Sequence, residues 1–145
     1  KELLDFVRRL VRIRSTHRVF RRRRWFEQRR LHGAGVRDIG WFRPDGSPMS
    51  DEDWRVSYAK SLAVYLNGAK IPARDPQGQP VVDDSFLVLF NSGSGACEFT
   101  LPSDLGSDGW VVELVSSPTD GEGTWLEAPG VLQVAPWAVV VLPPN

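Results

Sequence analysis

The chain has 145 residues, of which 41% are hydrophobic and 25% are charged, so it is long enough to bury a hydrophobic core in about one domain. Its 18 basic and 18 acidic residues cancel, although 12 of the basic residues and only three of the acidic ones lie within residues 1–30. One cysteine excludes an internal disulfide, two histidines make a metal site hard to build, and no apolar run reaches the length of about 18–20 residues that a membrane span requires. We therefore expect a cytoplasmic protein with no cofactor and no metal.

Residues 2–14 predict an amphipathic helix. Five large aliphatic side chains, here called the aliphatic stripe, follow the spacing of one helical face, and they are Leu3, Leu4, Val7, Leu10 and Val11. Phe6 and Ile13 lie outside this stripe, so the apolar arc is wide and predicts burial on two sides. On the polar face, Asp5 is four residues from Arg9 and is expected to pair with it. No capping residue precedes the helix, which predicts that the chain is a piece of a longer polypeptide.

A basic segment follows the helix. Residues 21–24 are four successive arginines, and Trp25 and Phe26 come directly after them. Arginines beside aromatic rings could contact phosphates and stack on bases. The zero net charge and the lack of a nucleic-acid-binding motif favour a solvated or ion-paired surface instead. We therefore predict no nucleic-acid and no membrane partner, and a flexible connector at 31–35 that ends a first unit, 1–35.

Residues 36–145 read as a second, mainly β unit. Short apolar or alternating segments separated by turn residues predict antiparallel strands at 36–42, 61–66, 86–90, 97–101, 110–115, 131–134 and 137–142. The unbroken apolar run at 86–90 predicts a central strand. Asn67-Gly68 predicts a hairpin whose return arm starts at 69–71. Together these patterns predict an antiparallel β-sandwich preceded by one helix.

Residues 41–54 form the most patterned stretch of the chain. Pro44-Asp45-Gly46 predicts a tight turn, and Ser50 with Asp53 has the spacing of a capping box. Trp41 and Trp54 bracket this stretch, and we expect both to be largely buried. Arg43 is placed to pair with an acid of 51–53.

The chain offers few residues with the pattern of a catalytic site. His17 and His32 are its only histidines, and Gly93-Ser94-Gly95 lacks the lysine of a phosphate-binding loop. Neighbouring acids such as Asp83 and Asp84 are expected to point to opposite faces of a strand. We therefore predict no catalytic, cofactor-binding or metal-binding residues.

Six tryptophans is a high number, and exposed tryptophans can stack on sugar rings. We expect most of them to lie in the core or at interfaces. They are Trp25, Trp41, Trp54, Trp110, Trp125 and Trp137.

Several motifs give the chain a family resemblance. They are LDFVRRLVRIR at 4–14, HRVFRR at 17–22, DIGWFRPDG at 38–46, MSDEDW at 49–54, AKSLAVYLNG at 59–68 and DDSFLVLFN at 83–91. In this order and spacing, residues 3–91 resemble the C-terminal part of bacterial glycogen debranching enzymes of the isoamylase type, in the α-amylase clan.

The resemblance implies a particular place in a larger enzyme. The first helix would be the last helix of a (β/α)₈ catalytic barrel, and the rest would be a C-terminal β-sandwich that serves as a scaffold. The parent would hydrolyse α-1,6 branch linkages in glycogen and would bind α-glucan. This segment, which lacks positions that match the family's catalytic carboxylates, would be inactive alone. The alternative is a stand-alone glycan-binding or protein-interaction module.

Overall fold

The computed structural model describes residues 2–26, 37–57, 59–117 and 121–145. Within these ranges an α-helix, α1 (Glu2–Thr16), precedes nine β-strands, and single 3-10 turns lie at Arg18–Arg21, Asp53–Arg55 and Gly68–Lys70. The strands are β1 (Ile39–Phe42), β2 (Ser61–Leu66), β3 (Phe86–Asn91), β4 (Cys97–Thr100), β5 (Gly109–Val111), β6 (Leu114–Val115), β7 (Trp125–Glu127), β8 (Val131–Val134) and β9 (Ala138–Leu142). All of the strand pairs are antiparallel, which confirms the mainly β fold with an N-terminal helix.

One five-stranded sheet, in the order β1-β2-β3-β9-β6, faces two small sheets, β4-β8 and β5-β7. Because side chains alternate along a strand, Leu87 and Leu89 of β3 point to one face while Phe86 and Val88 point to the other. The main core lies between the layers. It combines side chains of the large sheet with Phe99 of β4 and others of the small sheets. As the unbroken apolar run predicts, β3 occupies the centre of the large sheet.

The outer face of the large sheet carries a second apolar cluster, and α1 packs there. The cluster includes Val19, Phe86 and Val141, and the helix contacts it through Phe6 and Ile13. The two residues that fall outside the aliphatic stripe are therefore the ones that attach the helix to the sheet. The stripe itself stays exposed, from 40% for Leu10 to 74% for Leu3.

The prediction that Asp5 pairs with Arg9 within the helix is wrong. Asp5 pairs with Arg8, three residues away, at 3.2 Å. Arg9 instead reaches across to the sandwich, where its Nη1 lies 2.8 Å from a carboxylate oxygen of Glu122 and its Nη2 donates to the carbonyl of Glu113 at 2.8 Å. Arg9 binds these two residues of the sandwich instead of its helical neighbour because Glu122 offers a carboxylate and Glu113 offers a carbonyl within reach of the same guanidinium.

The hairpin predicted at Asn67-Gly68 is also wrong. The Asn67 side chain accepts a hydrogen bond from the amide of Ala69 and starts the 3-10 turn, so the chain does not return at 69–71. The next strand in the chain that pairs with β2 is β3, and it follows a loop over 67–85. Gly68 is needed for space, because a Cβ there would fall on the backbone oxygens of Asp83 and Asp84.

One further strand prediction needs correction, whereas the strand predicted at 97–101 forms as β4 and pairs with β8, in a different sheet from β3. The segment 110–115 is two strands, since β5 pairs with β7 and β6 pairs with β9. The buried Val112 and the exposed Glu113 make the crossing between these sheets. The strand Trp125–Glu127 was not predicted.

The remaining predictions concern segments at the edges of the described ranges. The connector at 31–35, the histidine at 32 and the first residue of the strand predicted at 36–42 lie outside the described residues. In the described parts of the chain, α1 and the short turns include no helix with the length and apolarity of a membrane span.

Candidate functional site

The Pro44-Asp45-Gly46 turn and the capping box form as the sequence predicts. Gly46 has a φ of +83°, and an Asp45 carboxylate oxygen accepts from the amide of Ser47 at 2.9 Å. Ser50 donates its amide and hydroxyl to the carboxylate of Asp53, at 2.7 and 2.9 Å, which begins the turn that carries Trp54. This stretch is locally well defined.

The two tryptophans of this stretch contact each other, but their burial differs from the prediction. The ring centroids of Trp41 and Trp54 are 5.1 Å apart with an interplanar angle of 80°, an edge-to-face arrangement. Trp41 is half-buried and Trp54 is 51% exposed, so the expectation of two largely buried rings is wrong. The reason is that Trp54 lies on a three-residue 3-10 turn, Asp53–Arg55, none of whose residues is buried.

A polar cleft of about 880 Å³ opens beside this pair. One wall is the turn at 44–49, the other is the loop at 100–105, and Tyr65 lies between them. The charged side chains that line the cleft are one arginine and three aspartates, namely Arg37, Asp45, Asp51 and Asp104. Its volume lies within the range of about 300–1,000 Å³ that is typical of ligand sites.

Both walls of the polar cleft are fixed by hydrogen bonds. The amide of Thr100 donates to the carbonyl of Pro44 at 2.7 Å, and a Cβ on Gly46 would lie only 2.9 Å from the carbonyl oxygen of Thr100. On the opposite side, the Tyr65 hydroxyl donates to the carbonyl of Leu105 at 3.3 Å. Burial raises the pKa of Tyr65, so the hydroxyl keeps its proton and stays a donor. The cleft is therefore preformed.

The acids of this region are held ionised. Hydrogen bonds from the Ser47 side chain and backbone lower the pKa of Asp45, and hydrogen bonds from Ser50 lower the pKa of Asp53. Arg43 lies between these two carboxylates, 3.6 Å from each. The predicted pairing of Arg43 with an acid of 51–53 is thus confirmed. These two ionised carboxylates accept hydrogen bonds from Ser47 and Ser50, which holds the turn at 44–49 and the start of the 3-10 turn in place.

A second groove, of about 780 Å³, lies on the other side of the tryptophan pair. Its lining is mainly the outer face of the large sheet, including Val64, Val88 and Phe90. Phe20 closes one end, and the same residue lines a smaller groove beside Leu10 and Val141. An apolar surface therefore continues from the sheet to the helix.

The two acids before β3 meet His17, contrary to the expectation that they point apart. Asp83 lies 2.9 Å and Asp84 lies 4.0 Å from Nδ1 of His17, because residues 83 and 84 belong to a loop and not to a strand. Asp83 also accepts from the amide of Val19 at 2.9 Å. Burial alone would raise its pKa, but hydrogen bonds from Val19 and His17 outweigh burial and lower it. His17, Asp83 and Asp84 each offer one atom that could bind a metal ion, and these atoms lie within 4.8 Å of one another. The hydrogen bonds that Asp83 accepts from His17 and Val19 explain the cluster as a structural clasp between the segment after α1 and the sandwich.

The arginine run is partly buried and ion-paired. The Arg22 side chain is 5% exposed, its Nη2 lies 3.0 Å from Asp38, and its guanidinium carbon lies 3.9 Å above the centre of the Phe26 ring. Arg21 donates to the carbonyl of Ser15 at 2.8 Å. The buried ion pair of Arg22 agrees with the ion-paired interpretation, and Arg21, Arg23 and Arg24 are exposed.

Few of the tryptophans lie in the core of this chain, so the expectation that most of them lie in the core or at interfaces with a partner stays a prediction. Trp110 is fully buried, whereas the exposed fractions are 92% for Trp25, 49% for Trp125 and 70% for Trp137. Trp110 packs edge-to-face on Tyr65 inside the core, while the exposed rings lie on turns or an edge strand with an open side. Trp54, which is 51% exposed, lines the polar cleft, whereas Trp25, Trp125 and Trp137 do not.

Sequence reasoning missed the far wall of the cleft. Arg37 precedes β1, whereas Asp104 follows β4, and only the folded sandwich brings them to one cavity. No local pattern relates residues this far apart in the chain. The predicted absence of catalytic residues stays a prediction.

Comparison with known proteins gives relatives for most of this chain. The chain is 43% identical over 122 residues to proteins named glycogen operon protein GlgX homolog from Mycobacterium bovis and from two strains of Mycobacterium tuberculosis. The aligned region covers 83% of this chain but 17% of each relative. No model of a protein family matches the chain. These relatives confirm the resemblance of the chain to glycogen-related proteins, and the chain is similar to a segment of the glycogen operon protein GlgX homologs.

Proposed function

We propose that this chain is the C-terminal scaffold segment of a glycogen debranching enzyme that hydrolyses α-1,6 branch linkages. In this proposal residues 36–145 form the supporting sandwich. Residues 1–35 connect it to a (β/α)₈ catalytic barrel in the same polypeptide, and α1 is the last helix of that barrel. The names of the relatives and the small share of their length that the chain spans support a role within a larger glycogen-related protein.

The observation that carries the proposal is the exposed aliphatic stripe of α1. The helix uses Phe6 and Ile13 to pack on the sandwich, while each residue of the stripe remains at least 40% exposed. Full burial of a large aliphatic side chain contributes about 1.5–3 kcal/mol, so covering the stripe would contribute several kcal/mol. A contiguous apolar surface of this kind favours a protein partner. The stripe, which the sandwich leaves open, is the natural contact for the barrel.

The acids of the segment support a role without catalysis. A glycosidase needs a carboxylic acid whose pKa is raised so that it can protonate the leaving oxygen. Among the residues that the structure describes, four carboxylates have clearly shifted pKa values, and hydrogen bonds lower the pKa of each of them: Asp45, Asp53, Asp83 and Glu122. We therefore expect the barrel to supply the acid and the nucleophile. The single cysteine, Cys97, is a free thiol, which suits the reducing cytoplasm proposed for the enzyme.

The experiment places a charge on the stripe in two settings. Leu10→Asp in the full-length protein is expected to lower the melting temperature by several degrees and to reduce debranching of glycogen, because the charge would be buried at the contact with the barrel. In the 145-residue chain alone, the same change is expected to lower the melting temperature by less than in the full-length protein, since Leu10 is 40% exposed there. Debranching is measured as new reducing ends.

The matched control is Arg12→Asp on the exposed face of the same helix. It introduces the same side chain and is expected to be tolerated in both settings. An unchanged full-length Leu10→Asp protein would contradict the scaffold contact. New reducing ends produced from glycogen by the 145-residue chain alone would contradict its proposed lack of activity.

A further inference from the structure

We propose that the polar cleft beside Trp54 binds a neutral oligosaccharide, a segment of glucan chain that lies across the sandwich. Trp54 would serve as the stacking platform for a sugar ring. The side chains of Asp51 and Asp104 would accept hydrogen bonds from sugar hydroxyls, and Arg37 would donate to them. The choice of glucan among neutral sugars rests on the proposed function, whereas the site itself rests on the cleft.

The aromatic platform is rigid and half open. Trp41 packs against Trp54 in an edge-to-face contact with a centroid distance of 5.1 Å, and Trp54 remains 51% exposed and available to a ligand. A ring that is already fixed loses little conformational freedom when a ligand stacks on it. Trp137 and Trp25 are more exposed, but neither of them lines the polar cleft.

The polar groups suit hydroxyls better than anions or apolar peptides. Three carboxylates and one arginine line the polar cleft, so its net negative charge would repel a phosphate or a carboxylate ligand. Sugar hydroxyls both donate and accept, and the mixture of aspartate acceptors with an arginine donor matches them. Asp45 completes the acidic wall and is fixed by the hydrogen bond from Ser47.

The shape of the polar cleft favours a chain over a single sugar. The cavity of about 880 Å³ lies between the 44–49 turn and the 100–105 loop, and it is open to solvent along the rim that carries Trp54. The hydrogen bonds of Thr100 and Tyr65 that fix its walls mean that a ligand need not reorganise the protein. An open preformed cleft accommodates a few units of a linear polymer whose ends extend into solvent.

The test is isothermal titration calorimetry of the 145-residue chain with maltoheptaose up to about 10 mM, a range that detects weak sugar binding. The wild type is expected to bind saturably. Trp54→Ala is expected to weaken binding at least about tenfold, because a tryptophan anchor dominates the contact. Asp104→Asn, which replaces an acceptor oxygen by a donor, is expected to weaken binding several-fold.

The matched control is Trp125→Ala. Trp125 is 49% exposed, close to the 51% of Trp54, but it lies on β7 and outside the polar cleft. This variant is expected to bind maltoheptaose like the wild type. Circular dichroism and the melting temperature establish that each variant is folded before it is titrated.

Two results would overturn the inference: no heat of binding with the folded wild type, or equal affinity of the wild type and Trp54→Ala. The scaffold proposal is tested separately by Leu10→Asp in the full-length protein. If the chain does not bind maltoheptaose but Leu10→Asp destabilises the full-length protein, the scaffold proposal stands and the sugar site does not. If the chain binds maltoheptaose but Leu10→Asp has no effect, the chain is a glycan-binding module.

Discussion

The substitution Gly68→Ala gives a sharp test of how the loop before β3 is held. The Cβ of an alanine at 68 would fall on the backbone oxygens of Asp83 and Asp84, and backbone cannot turn aside as a flexible side chain can. The loop would have to move. It would then lose the hydrogen bonds from the Asp83 amide to the Gly68 carbonyl, at 3.0 Å, and from the Gly68 amide to the Ser85 hydroxyl, at 3.1 Å.

The expected cost follows from these contacts. Two hydrogen bonds contribute about 1 kcal/mol each, and overpacking costs about 1–3 kcal/mol, so Gly68→Ala is expected to lower the free energy of unfolding by about 3–5 kcal/mol. For a domain of this size the melting temperature should fall by about 6–20 °C. Urea denaturation followed by circular dichroism measures the free energy directly.

The control for this prediction is Gly95→Ala. A Cβ at Gly95 would meet no atom within 4 Å, and its φ is not positive, so alanine there is expected to be neutral or to stabilise slightly by restricting the unfolded chain. A free energy of unfolding of Gly68→Ala within about 1 kcal/mol of the wild type would refute the close approach of Gly68 to residues 83–84. An equal loss in Gly95→Ala would show that the effect is not specific to position 68.

Two further substitutions address the clasp and the core. Asp83→Ala is expected to destabilise by about 1–3 kcal/mol at neutral pH, because it leaves the Val19 amide and His17 without their acceptor. Folding lowers the pKa of Asp83, so the contribution of its carboxylate to stability is complete above about pH 4 and is lost as the pH falls through the folded pKa. The difference in unfolding free energy between Asp83→Ala and the wild type should therefore narrow in acid, and a constant difference would contradict this. Trp110→Ala is expected to cost about 3–5 kcal/mol in urea denaturation because Trp110 is fully buried, and a cost as small as that of Trp125→Ala would place Trp110 outside the core.

The sequence predicts the elements better than it predicts their partners. The alternating and apolar runs locate β2, β3, β8 and α1 because burial on one or both faces leaves a local period in the chain. Asn67-Gly68 misleads because asparagine caps a 3-10 turn as readily as it enters a hairpin, and the choice is made by the distant loop at 83–84. A local pattern contains no information on that loop.

The candidate site shows the same division. The turn at 44–46 and the capping box of Ser50 are local and are predictable from residue type. The exposure of Trp54 is not, since a tryptophan on a short turn is buried or open according to what the rest of the fold places over it. The polar cleft depends on the loop at 100–105, which reaches the turn only because β4 belongs to a different sheet from β3.

The position of β9 in the large sheet has a consequence for biosynthesis. β3 lies between β2 and β9, and its pairing with β9 joins Leu87 to Leu142, so the middle of the sheet stays incomplete until residues 138–142 have left the ribosome. Until then β3 presents an unpaired apolar edge, which is a site for association with other nascent chains. Long-range pairing of this kind also slows folding. Loss of residues 138–142 would therefore be expected to give an aggregating polypeptide instead of a slightly shorter domain.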